Sequence, residues 1–163
     1  MTHQPLDPRS CNVAIDANAL NRDGSGHDAL VDCLLKLSSA RAINLIVPQD
    51  VRLEILDRQT PTHIKKATRS TIFTIPVGLT DDERRRLHLI EATLQGNARS
   101  GRHAADARHL FEAAKYCGYF ITHDQRILKR AGNLRTVLPP SLSVVTLRRF
   151  LEIYDSFVSK REL

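Results

Sequence analysis

A chain of 163 residues, 42% hydrophobic, has room for one core and too little length for two of ordinary size. No apolar run approaches the ~18 residues that span a bilayer, which excludes a helical membrane protein, and the opening Met-Thr-His-Gln-Pro-Leu-Asp-Pro-Arg lacks the apolar centre of a signal peptide. The formal net charge of +6 favours a polyanionic partner and says nothing about fold.

Residues 1–10 contain two prolines and little apolar content, so a loose tail is expected there. Asn12-Val-Ala-Ile-Asp16 then reads as a short apolar strand ending in an acid. Ala17, Asn18 and a polar turn through Asp23, Gly24 and Gly26 follow. Leu30, Val31, Leu34, Leu35 and Leu37 recur at helical spacing and predict a helix over 28–40. Asn44-Leu-Ile-Val-Pro48 is a second strand stopped by its proline. The next segment, 49–58, holds Val51 and Ile55 at i and i+4 with Glu54 on nearly the same side. Ile72, Phe73, Ile75 and Val77 suggest a short strand, and Asp81 and Asp82 open a helix bearing Leu87, Ile90 and Leu94.

The stretch from Gly101 to Asp124 is the most informative. Ala107, Leu110, Phe111 and Ala114 fall at i, i+3, i+4 and i+7, one buried helix face, with Asp106 in the first turn. Gly118 is expected to cap that helix with a positive φ, and Tyr119 to Thr122 form a strand with Asp124 at its carboxyl end. Gln125 to Arg130 reads as a short helix closed by Gly132. Leu142 to Thr146 is a last strand, and Leu147, Phe150, Leu151, Tyr154, Phe157 and Val158 form a terminal amphipathic helix. The three cysteines, Cys11, Cys33 and Cys117, lack metal-ligand spacing and read as small core hydrophobes. With no signal sequence, a cytoplasmic location is expected. Strands alternating with helices predict one α/β domain over 1–163, its parallel sheet covered on both faces.

Sites in open α/β sheets form outside the carboxyl ends of the strands. Asp16 and Asp124 occupy such ends, Asp106 a helix start, and Glu54 the first turns after the second strand. Acids crowded into one partly desolvated crevice repel each other unless a cation neutralises them. Hard divalent ions with oxygen ligands do this, and carboxylate-held ions support phosphodiester hydrolysis. Basic residues gather in two stretches, Lys65, Lys66 and Arg69, then Arg84, Arg85 and Arg86 followed by Arg99 and Arg102. Those from Arg84 to Arg102 are the candidates to hold a nucleic-acid backbone. His103, His109 and His123 surround the acids in sequence and are expected to be satisfied or exposed rather than catalytic. Strand alternation turns His123 away from Asp124. No Gly-rich phosphate loop or Ser-His or Cys-His nucleophile signature is present.

Strand-Asp16-Ala-Asn18, then Glu54, then Ala105-Asp106-Ala107 opening a helix, then Ile121-Thr122-His123-Asp124 closing a strand, resembles a PIN domain. More narrowly it resembles the VapC-type toxin ribonucleases of toxin–antitoxin pairs. The similarity runs from about Asn12 to Thr146, with the middle third matched in outline. Where many relatives have Asn before the last acid and an aromatic after it, this chain has His123 and Ile127. The resemblance implies a three-layer α/β/α fold with a central parallel sheet and a Mg²⁺- or Mn²⁺-dependent endoribonuclease. Asp16, Glu54, Asp106 and Asp124 would be its acidic quartet and metal ligands, with Asn18 and Thr122 as supporting polar residues. Asp50 and Asp57 lie within a helical turn of Glu54 and compete for its role. The implied partners are RNA, a small antitoxin covering the crevice, and a second copy in a homodimer. The alternative is a catalytically inactive PIN-like module that binds RNA or a protein.

Overall fold

The computed structural model describes residues 5–47, 62, 72–73, 78–97, 101 and 103–160. Among them, short apolar runs pair into one parallel sheet: β1 (Asn12–Ile15), β2 (Asn44–Val47), β3 (Ile72–Phe73), β4 (Tyr119–Ile121) and β5 (Ser143–Val145). Their order is β3-β2-β1-β4-β5. Val13 lies opposite both Leu45 and Tyr119, and Ala14 opposite Ile46 and Phe120. Strands buried on both faces read as continuous apolar runs, as these do.

The strand period of two divides the core. Val13, Ile15, Leu45, Val47, Tyr119 and Ile121 face α1 (His27–Ser39) and α5 (Leu147–Ser159), meeting Val31, Leu34, Leu147 and Phe150. Ala14, Ile46 and Phe120 face the other way. They pack on Ile90 and Leu94 of α2 (Asp81–Gln95), Leu110 and Phe111 of α3 (Ala104–Tyr116), and Ile127 and Leu134 of α4 (Gln125–Leu134). Helices therefore cover both faces of the sheet. The β1-α1-β2 crossover steps one way over one face, and β4-α4-β5 steps the other way over the opposite face. The two crossovers thus share one hand, in keeping with the chirality rule for parallel units.

Several expectations change in the folded chain. Residues 5–10 are held rather than loose: Pro8 is buried, Arg9 pairs with Asp7 at 2.7 Å, and the Tyr119 hydroxyl donates to the Leu6 carbonyl. A buried tyrosine needs an acceptor, and this segment supplies it. Gly118 does not have a positive φ. Helix α3 ends in an extended residue, Cys117, and Gly118, just before β4, already bonds to both neighbouring strands, its N–H on Asn12 O and its carbonyl accepting from Ser143 N–H. The positive-φ glycine that follows a helix is Gly96, φ 50° and ψ −116°, after α2. Helix α4 runs past Gly132 to Leu134, because buried Ile127 and Leu134 anchor both its ends. Cys33 is exposed, whereas Cys117 is buried and Cys11 partly so. Segment 49–58 with Asp50, Glu54 and Asp57 lies outside the described residues, as do 74–77, Lys65, Lys66, Arg69, Arg99 and Arg102.

Candidate active site

Strand order reverses between β1 and β4, since β2 and β3 extend from one side of β1 and β5 lies beyond β4. The crevice outside the carboxyl ends of such a pair is where α/β sheets bind ligands. Asp16 is the first residue beyond β1 there, its N–H donating to Ile121 O at 2.9 Å. Its side chain is almost wholly buried. The Thr122 hydroxyl donates to Asp16 Oδ2 at 2.9 Å and accepts from the Asp124 N–H at 3.1 Å. Asn18 Oδ1 accepts from the His123 N–H at 3.0 Å. Asn18 and Thr122 thus tie the turn after β1 to the turn after β4 and fix one oxygen of Asp16.

Two further carboxylates reach this end from different elements. Asp124 caps α4, its Oδ1 accepting from the Arg126 N–H at 2.7 Å. The Arg126 guanidinium returns to the same carboxylate through Nε at 3.1 Å and a terminal nitrogen at 2.6 Å. That terminal nitrogen is also 3.7 Å from Asp106 Oδ2, so one half-exposed guanidinium spans two acids. Asp106, in the first turn of α3, lies 3.4 Å from His103 Nδ1. His109, one turn further along, is buried, with Nδ1 3.8 Å from Asp16 Oδ1.

These surroundings separate the acids electrostatically. Burial pushes the Asp16 carboxyl above the usual carboxylate range, against the opposing pull of His109 and the Thr122 hydroxyl; the Asp106 charge pushes it up further. Arg126 holds Asp124 below that range despite partial burial. Desolvation and the neighbouring His27 depress His123, whose ring meets His27 edge-on at 4.5 Å.

Asp16, Asn18, Asp106, Thr122 and Asp124 are therefore brought to one end of the sheet. Arg84, Arg85 and Arg86 are not. They are exposed on the first turns of α2, where Glu83 pairs with Lys115 at the far end of α3 from Asp106. Glu54, Arg99 and Arg102 fall outside the described residues. Arg126 has a modest signal in the sequence, a base at the second helical position after an N-cap acid, and its reach to Asp106 shows only in the fold. His109 departs from the expectation of a satisfied or exposed ring. It is buried, and among the described residues neither ring nitrogen has a hydrogen-bond partner.

The donors suit a hard divalent cation in kind, being carboxylate and hydroxyl oxygens, and the crowding felt by Asp16 is what such an ion relieves. Among the described residues no three His, Cys, Asp or Glu side chains are grouped closely enough to enclose an ion. Arg126 supplies the positive charge between Asp106 and Asp124. No helix among the described residues is long and apolar enough to cross a membrane. No protein-family model matches the chain, and neither a curated protein nor a solved structure matches it.

Proposed function

We propose that this chain is a PIN-like, metal-dependent endoribonuclease and the toxin of a toxin–antitoxin pair. One observation carries the reading: Asp16, Asp106 and Asp124 come from separate elements and gather at the strand-order reversal of a parallel sheet. Asp16, Asp106 and Asp124, joined by Glu54, would hold Mg²⁺ or Mn²⁺. Such an ion, when bound, supplies an activated water and neutralises charge developing on the phosphate. Thr122 and Asn18 keep Asp16 in one orientation. Arg126 pairs with Asp106 and Asp124 and would have to release them to a cation, which would leave its guanidinium free to meet a phosphate oxygen. The net charge of +6 suits a polyanionic substrate. A small antitoxin bringing its own basic residue would neutralise the same acids. A second reading, a silent module that binds RNA or a protein, is favoured by Arg126 alone, which partly neutralises the acids from within.

Thermal melts with and without Mn²⁺, beside an RNA cleavage assay on Asp16→Asn and Asp106→Asn, test the proposal. At an Mn²⁺ concentration 100-fold above Kd the parent should gain about 2.7 kcal/mol. Both variants should lose that gain and the cleavage together, because a neutral amide is a poorer ligand for a hard cation. Variants that cleave RNA as well as the parent overturn the nuclease reading. RNA binding without metal-dependent cleavage in the parent selects the silent module.

A further inference from the structure

Helix α3 directs a second side chain at the same carboxylates. His109 follows Asp106 by three residues, so both lie along one side of the helix. Its ring is buried at 3% exposure between that helix and the end of β1. Neither ring nitrogen meets a hydrogen-bond partner among the described residues. Buried polar atoms are nearly always satisfied, so a ring left with two open nitrogens beside an acid calls for another partner. Of the two Asp16 oxygens, Oδ2 is taken by Thr122 and Oδ1 faces His109 Nδ1 at 3.8 Å. That gap is too long for a hydrogen bond and short enough for one ion to bridge after a small adjustment.

We propose that His109 Nδ1 is a ligand of the cation held by Asp16, making the site a mixed nitrogen–oxygen one that prefers a divalent transition ion to Mg²⁺. The inference rests on the metal-dependent reading above and adds a residue and a selectivity to it. Imidazole is a softer donor than carboxylate and adds little to the binding of Mg²⁺, which takes oxygen almost exclusively. The other histidines at this end are placed differently. His103 leans on Asp106 and His27 Nε2 lies 3.0 Å from Ala19 O; His123 packs edge-on against His27 and also leaves its Nε2 buried without a partner, but only His109 faces an Asp16 oxygen.

Mn²⁺ added to the full chain and read by pulsed electron paramagnetic resonance tests this without any cleavage assay. The parent should bind Mn²⁺ with a ¹⁴N coupling. His109→Gln should lose the coupling and lower the preference for Mn²⁺ over Mg²⁺ by about tenfold or more, while still binding Mg²⁺. Mn²⁺ bound by the parent without nitrogen coupling overturns the role of His109 and leaves the acidic metal site intact. Coupling or preference that persists in His109→Gln overturns it equally. A parent that binds no Mn²⁺ removes the metal reading itself, and this inference with it. If His109→Gln does not fold, single Gln variants of the six other histidines decide the assignment. Coupling kept by all six supports His109, and coupling lost in any one places the nitrogen elsewhere and overturns the proposal.

Discussion

Asp16 and Asp124 are the same residue type just beyond neighbouring strands, yet their surroundings drive protonation in opposite directions. Burial raises Asp16, and Arg126 lowers Asp124. A carboxyl raised by folding adds stability below its unfolded value, near 3.9, and detracts once pH passes its folded value. A lowered carboxyl adds stability above the unfolded value and loses it as pH falls through the folded one. At neutral pH, therefore, Asp16 weakens the fold and Asp124 strengthens it. Without divalent ions, Asp16→Asn should match or exceed the parent's Tm at pH 7, with any gain gone below about pH 4. Asp124→Asn keeps a good N-cap but loses the ion pair to half-exposed Arg126. It should therefore cost at most about 1 kcal/mol at pH 7, and the deficit should vanish in acid. Melting curves from pH 3 to 8 check both. Two variants destabilised alike at every pH would mean that neither burial nor Arg126 sets these protonation states.

At the scale of elements, Gly118 joins α3 to β4 with no space for a side chain. A Cβ there would lie 2.7 Å from Cys11 Sγ and 3.1 Å from Leu6 Cδ1. Gly118→Ala should cost about 1–3 kcal/mol through overpacking, and adding Cys11→Ala should recover part of it. A change below about 0.5 kcal/mol in chemical denaturation would show that the segment before β1 yields freely. This close approach explains why the role of Gly118 is hidden in the sequence. A glycine after a helical pattern suggests a left-handed cap, but only the packing of residues 6–11 against β4 reveals the crowding. The elements themselves are readable where their periods are strong: α1, α3 and α5 fall within a few residues of their expected bounds. The Thr80–Glu83 capping box that starts α2 has its own local signal, overshadowed by the neighbouring Asp81 and Asp82. The length of α4 is signalled by Ile127, Ala131 and Leu134 at i, i+4 and i+7, a period masked by Gly132. Leu134 extends it through burial against the core beneath α2 and α3.

For the whole molecule, strand-end placement of Asp16 and Asp124 is evident from apolar runs ending in acids. The order β3-β2-β1-β4-β5, which makes those two ends adjacent, appears only when the sheet assembles. Assembly also separates charges that the sequence seems to gather. The acids lie at one end of α3, and Arg84, Arg85 and Arg86 lie beside its other end through the Glu83–Lys115 pair. At about 1.5 Å of rise per residue, Asp106 and Lys115 are roughly 14 Å apart along the helix. That exceeds the ~8 Å screening length at physiological salt. These arginines are then too remote to neutralise a phosphate at the acids, though they can hold nucleotides further along a strand. Arg84 and Arg85 also pair with Asp81 and Asp82 at 3.6 and 2.6 Å, which dilutes their charge. On the ribonuclease reading, changing all three to Gln should weaken binding of RNA long enough to reach both ends. The slope of log K against log salt should flatten by about 0.7 for each phosphate no longer neutralised. Cleavage of a substrate only two or three nucleotides long should stay unchanged. Equal losses on long and short RNA would place the arginines against the reacting phosphate. An unchanged slope on long RNA would mark them as a solvated helix face, with the backbone held instead by the bases nearest the acids, Arg126 first among them.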